Sequence, residues 1–137
     1  MINPLKDVDC LTLSNRAKLI EQVSPQVMPC TPLGVMKILS EHNVDLSGKI
    51  VIVAGKRSLV GLPLFHMLHN RNATVTLCNP KVDGLNKITA EADVVISAVG
   101  KPNLITQLKP GAVAIDVGVS RDTAGKMCGD ICEFAKR

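Results

Sequence analysis

Two bases, Lys56 and Arg57, stand between Gly55 and Gly61 directly after the apolar run Val51-Ile52-Val53-Ala54. A glycine at the end of such a run lets the backbone turn tightly and approach a ligand. The bases and Ser58 would then form a short loop before a helix that starts at Leu59, with Val60 in its first turn. Free N–H groups and the positive dipole end of a helix suit a phosphate. The chemistry implied is binding of a dinucleotide. Gly55 and Gly61 are present but the full G-x-G-x-x-G is not, so the stretch alone is a weak fingerprint.

Three further loops follow apolar runs in the same way. The first carries Asn79, Pro80 and Lys81, the second Val99, Gly100, Lys101, Pro102 and Asn103, and the third follows Asp116 with Gly118 and Val119. In an open parallel sheet the ligand lies beyond the carboxyl ends of the strands, so four such loops at equivalent positions point to one site. Ordinary turn chemistry would account for any one of them. NAD sites place an acid about 20 residues past the first glycine, on the ribose 2′-hydroxyl. Here the equivalent run is Cys78-Asn79-Pro80-Lys81, without an acid. Lys56, Arg57 and Lys81 could make a cationic pocket, which favours the 2′-phosphate of NADP, with NAD as the alternative cofactor. The other reading leaves them as solvated surface bases. Gly100 would let the backbone approach the ribose or nicotinamide, and Gly118 and Val119 could cover the nicotinamide ring. Asp116 reads as an orienting or loop-capping group.

Other constellations are thin. His66 and His69 are three apart with no third metal ligand evident, and Cys78 has no activating base nearby in the sequence. No Ser/His/Asp arrangement and no convincing carboxylate pair appears. Asp7 and Asp9, two apart in a segment expected to be extended over residues 1–12, would share one face and could hold a polar ligand or keep an edge soluble.

The elements that must position these residues can be read from the pattern. The 137 residues suggest one domain, and 46% apolar against 20% charged residues is enough to build a core. A short helix capped by Ser14 is expected to about Gln22, then a linker over 24–32 with Pro25, Pro29 and Pro32. A helix capped by Thr31 should bury Leu33, Met36, Ile38 and Leu39. Strands are expected over 49–54, 73–78, 93–98 and 112–117, with a fifth over 126–129, and helices over 59–70 and 83–91. This alternation predicts an α/β fold, a Rossmann-like parallel sheet with flanking helices and a short N-terminal extension.

Composition removes some partners. A net charge of +4 without Trp or Tyr, and with only Phe65 and Phe134, does not suit a base-stacking nucleic-acid surface. No stretch is apolar enough to span a membrane, and residues 1–7 carry no apolar leader. Five cysteines, an odd number without C-x-x-C spacing, read as reduced and mostly buried, as in a cytoplasm or organelle matrix.

In order along the chain come Pro29-Cys30-Thr31-Pro32-Leu33-Gly34, residues 55–63, Ala73-Thr74-Val75-Thr76, Ala98-Val99-Gly100-Lys101-Pro102-Asn103, and Lys109-Pro110-Gly111-Ala112 through Asp116-Val117-Gly118. Together these motifs resemble the bifunctional methylenetetrahydrofolate dehydrogenase/methenyltetrahydrofolate cyclohydrolase family. Lys6-Asp7-Val8-Asp9 resembles its interdomain folate-contacting segment, which makes Asp9 a candidate substrate contact. Gly129-Asp130 resembles its Gly-Asp-Val near the domain end. The resemblance implies an oxidoreductase and hydrolase of one-carbon metabolism, with residues 1–30 as interdomain segment and linker and residues 31–137 as the NAD(P)-binding domain, cut at both ends.

The family's catalytic lysine lies in an N-terminal domain to which nothing here corresponds, so no catalytic residue is assigned. A folate substrate would need a second domain or chain to complete the cleft, as a homodimer or by pairing with a full-length relative. Departures fall within the motifs: the family's Gly-Arg-Ser is Gly55-Lys56-Arg57, its Cys-His-Ser is Cys78-Asn79-Pro80, and its Asp-Val-Asp-Gly is Asp7-Val8-Asp9-Cys10. The alternative reading is a non-catalytic nucleotide-binding pseudoenzyme or dimerisation module.

Overall fold

The structure is a computed structural model that describes residues 2–23 and 27–136. Its elements are helices α1 (Leu13–Glu21) and α2 (Cys30–Glu41), strand β1 (Ile50–Ala54), helix α3 (Gly61–His69), strand β2 (Thr74–Cys78), helix α4 (Leu85–Thr89), and strands β3 (Val94–Ser97), β4 (Val113–Asp116), β5 (Ser120–Arg121) and β6 (Met127–Cys128). Strands β1 to β4 form a parallel sheet in the order β2-β1-β3-β4. The Rossmann-like α/β reading therefore holds, and the strand order reverses between β1 and β3.

Successive side chains of a strand point to opposite faces. Val51 and Val53 of β1, with Val94 and Ile96 of β3, meet Val35 and Leu39 of α2 and Leu64 and Leu68 of α3. Ile52, Ala54 and Val95 face the other way, onto Leu85, Ile105 and Ile131. Both central strands are thus covered on both faces, which is why they read as unbroken apolar runs. A third small cluster seats Cys10 and Leu19 against Met67 of α3.

Several local expectations are corrected. The cap of α1 is Thr12, whose hydroxyl accepts the Asn15 N–H, rather than Ser14. Helix α2 begins at Cys30, before Thr31, and buries Pro32, Val35 and Leu39, while Leu33 and Ile38 are exposed. Its first amide is capped from a distance: Asp9 Oδ1 accepts the Cys30 N–H at 2.6 Å. Helix α3 starts at Gly61, not at 59, because residues 58–60 form a turn first.

Residues 2–12 do not run as one extended segment. Pro4–Lys6 is a turn of 3₁₀ helix, and Asp7 is buried as the hub of a tight turn. Its carboxylate accepts the N–H groups of Asp9, Leu11 and Thr12, the Thr12 hydroxyl and the Asn15 side-chain amide. The fifth strand does not extend the parallel sheet; β6 pairs antiparallel with β5 as a separate hairpin. Of the five cysteines only Cys10 and Cys78 are buried. Ser24 and Pro25 of the expected linker lie outside the described residues.

Candidate cofactor site at the strand ends

The parallel register sets the carboxyl ends of the four strands in one row. Ala54 stands opposite Cys78 on one side and Ser97 on the other, and Ser97 stands opposite Asp116. One more ladder bond follows on each pair: Gly55 N–H to Cys78 O, Ala98 N–H to Ala54 O, and Val117 N–H to Ser97 O. The four loops singled out in the sequence therefore leave the sheet at the same level. The first and third flank the reversal of strand order, where open α/β sheets bind ligands.

The two glycines of the first loop are required by backbone contact. Gly55 has φ +110°, and a Cβ there would sit 2.6 Å from the Ala98 carbonyl oxygen. A Cβ on Gly61 would overlap the Gly55 carbonyl. Their spacing thus closes the turn from β1 into α3. Between them, Lys56, Arg57 and Ser58 are exposed and Val60 half-buried. The backbone amides of residues 56–61 donate to no acceptor among the described residues, and α3 has no side-chain cap. An uncapped helix start with open amides and two adjacent cations is a fitting cradle for a phosphate.

The loop after β2 is shaped by Asn79, whose side-chain oxygen accepts the Lys81 N–H at 3.1 Å; Asn79 and Lys81 are exposed and Pro80 half-buried. Lys56, Arg57 and Lys81 form no ion pair among the described residues, so all three charges remain available to an anion. Burial pushes the Cys78 thiol up, which keeps it protonated and unreactive near neutrality.

The loops after β3 and β4 are held by two aspartates. Asp116 accepts the N–H groups of Gly118, Asp130 and Ile131, so it caps loops, as its position implied. Asp130, fully buried, accepts the Ser97 hydroxyl at 2.7 Å and the N–H groups of Val99, Gly100 and Lys101 at 2.8 to 3.2 Å. Sequence reading noticed Asp130 only as part of a motif. A lone acid near the chain end carries no local signal that it will be buried beneath a loop some thirty residues earlier. Pro102 is half-buried, and Val119 is exposed beside Gly100, whose Cβ position would lie 3.5 Å from the Val119 carbonyl oxygen.

Asp9 caps the start of α2 through the Cys30 N–H. The His66 imidazole is driven below its usual pKa by burial and by His69, and among the described residues no three His, Cys, Asp or Glu side chains gather as metal ligands. No helix among them is long and apolar enough to cross a membrane.

Comparison with known proteins agrees with this geometry. Residues 29–136 match the family described as tetrahydrofolate dehydrogenase/cyclohydrolase, NAD(P)-binding domain. The chain is 44% identical over 133 residues to the bifunctional protein FolD of Clostridium kluyveri, covering 96% of this chain and 47% of that protein. It is 46% identical over 136 residues to FolD of Dechloromonas aromatica, at 98% and 47% coverage. Among solved structures, the methylenetetrahydrofolate dehydrogenase-cyclohydrolase of Trypanosoma brucei, complexed with NADP and an inhibitor, superposes with a TM-score of 0.91 at 34% identity, over 99% of this chain and 50% of that one. A methylenetetrahydrofolate dehydrogenase from the silkworm Bombyx mori gives 0.89 at 33% identity, over 98% and 50%. The chain spans about half the length of the relatives it matches. With its row of strand ends, its glycine-closed turn and this match over residues 29–136, the chain belongs to the tetrahydrofolate dehydrogenase/cyclohydrolase family and corresponds to its NAD(P)-binding domain.

Proposed function

We propose that this chain binds NADP across the carboxyl ends of β2, β1 and β3 and serves as the cofactor half of a methylenetetrahydrofolate dehydrogenase/cyclohydrolase. The observation that carries the reading is the row of amides at residues 56–61, open among the described residues, beside Lys56 and Arg57, which form no ion pair among them. Amides from this loop would hold the cofactor's diphosphate, with Gly55 and Gly61 allowing the approach. Lys56, Arg57 and Lys81 would hold the 2′-phosphate, Lys56 as a point charge and Arg57 as a planar fork. Gly100, Lys101 and Pro102 on one side and Gly118 and Val119 on the other would border the ribose and nicotinamide.

When bound, the cofactor supplies the hydride acceptor for oxidation of methylenetetrahydrofolate to its methenyl form. This chain's contribution is placement, since holding two reactants in near-attack geometry replaces a bimolecular step by an effectively unimolecular one. The folate cleft is completed by a further domain or a partner chain, in a homodimer or with a full-length relative. Asp9 would touch the folate, held in position by its bond to the start of α2. Hydrolysis of the methenyl product would likewise draw on groups outside this chain.

Calorimetric titration of the chain with NADP and, separately, with NAD tests the proposal. Saturable binding, tighter for NADP, is expected. A folded chain that binds neither would overturn the cofactor reading, and tighter binding of NAD would overturn the assignment of the basic loop to the 2′-phosphate.

A further inference from the structure

The two loops that flank the reversal of strand order treat their backbone amides in opposite ways. Those of residues 56–61 donate to nothing among the described residues. Those of Val99, Gly100 and Lys101 all converge on one buried carboxylate, Asp130, whose Oδ2 also takes the Ser97 hydroxyl. Successive amides converging on an anion make a nest of the kind that holds phosphates. Here the anion is built into the chain.

Resting on the cofactor reading above, we propose that Asp130 is a positioning residue. By filling the amide nest of the β3 loop, it makes that loop meet the cofactor with acceptor carbonyls instead of anion-binding amides. In a trans peptide the C=O of one residue points opposite to the N–H of the next. With the N–H groups of residues 99–101 turned onto Asp130, the carbonyls of Ala98, Val99 and Gly100 point away from it. The Ala98 carbonyl indeed faces Gly55, 2.6 Å from the Cβ position there. Gly100 supports the arrangement with φ +79°, which L side chains rarely adopt.

The consequence is a division of labour within one site. Phosphates belong to the β1–α3 loop. The β3 loop is left for groups that donate hydrogen bonds, such as ribose hydroxyls and the carboxamide N–H of the nicotinamide half. Asp130 touches no cofactor atom in this scheme; it acts through the loop. Its own place is set by Asp116, which holds the backbone at residues 130 and 131.

The test compares whole and half ligands. Wild type and Asp130→Asn are titrated with NADP and with adenosine 2′,5′-bisphosphate, which carries the 2′-phosphate but no nicotinamide riboside. An asparagine cannot accept all the donors, because its amide nitrogen opposes their N–H groups. NADP affinity is expected to fall about tenfold, in line with losing charge-assisted bonds that hold the loop, while the bisphosphate stays within about twofold. Equal losses for both ligands would mark Asp130 as merely structural and overturn the proposal, as would no loss for either. Failure of wild type to bind NADP would instead overturn the cofactor reading and the proposal with it.

Where Asp130→Asn does not fold, wild type alone decides. Amide exchange at residues 99–101 is expected to be slow before any ligand is added and unchanged by the bisphosphate, and fast exchange at these amides would overturn the nest.

Discussion

Asp116 and Asp130 are joined side chain to backbone: Asp116 Oδ1 accepts the Asp130 N–H at 3.1 Å, and Asp116 Oδ2 accepts the Ile131 N–H at 2.9 Å. The end of β4 thereby fixes the carboxylate that gathers the loop after β3. Segment 130–132 is held from its other side by Ile105, whose N–H donates to the Asp130 carbonyl and whose carbonyl accepts the Cys132 N–H. A strand end, a turn and a distant segment are locked together without any of them belonging to a long ladder.

Two glycines mark how tightly this lock is packed. A Cβ on Gly118 would fall on the Asp130 carboxylate, and one on Gly129 would fall on that of Asp116. Gly118→Ala and Gly129→Ala should each cost ~1–3 kcal/mol, the usual range for overpacking a rigid site. Urea unfolding should show a lower midpoint at unchanged slope. Wild-type midpoints in both variants would mean that the carboxylates can move aside freely.

Gly61→Ala should be more severe. Its methyl would meet the Gly55 carbonyl, which is backbone and lies where β1 leaves the sheet. Neither side can yield by a rotamer change, so a loss of ~3 kcal/mol or more is expected. NADP binding should fall even under conditions where the variant stays folded. Full affinity in Gly61→Ala would show that the turn after β1 does not need close approach.

The parts of this architecture that were legible in the sequence are those written locally. The runs at residues 51–54 and 94–96 are apolar without alternation because β1 and β3 are buried on both faces. Gly55 and Gly61 stood out because strand, turn and helix follow one another directly. Helix α2 misled because apolar residues surround it: Leu33 and Ile38 look as fit for the core as Val35, yet Val35 and Leu39 pack onto the sheet while Leu33 and Ile38 are exposed. Asp7 and Asp9 looked like alternating residues of an extended edge. The Asp7 carboxylate instead folds the segment onto itself by collecting backbone amides up to five residues ahead. Asp130 was illegible for the opposite reason, since every donor it satisfies lies some thirty residues earlier.

The Asp7 hub should show in the acid limb of stability. Burial on its own would raise the pKa, but the N–H groups of Leu11 and Thr12, the Thr12 hydroxyl and the Asn15 amide overcome it and hold the carboxyl well below its ordinary 3.8. A depressed folded pKa gives stability that is present above 3.8 and lost as pH falls through the folded value. Asp7→Asn should therefore melt below wild type near neutrality, with the gap narrowing as pH drops below about 4. Thermal midpoints of both proteins across that range would check it, and a gap independent of pH would remove the charge from the explanation.

Lys56 is the residue on which the choice of cofactor turns. It is exposed, lies next to the open amides of the β1–α3 loop, and forms no ion pair among the described residues. In Lys56→Glu an acid would stand where the 2′-phosphate is proposed to bind, repelling NADP, and could accept from the 2′-hydroxyl of NAD instead. NADP affinity should drop by about tenfold or more, with a smaller change or a gain for NAD. The NADP affinity of wild type should also fall more steeply with salt than that of the variant, because screening acts on the attraction that the variant lacks. Paired titrations of both cofactors at low and high salt would read this directly. Equal losses for NADP and NAD would place Lys56 at the shared diphosphate, or make its effect one of folding, and would return the 2′-phosphate to Arg57 and Lys81.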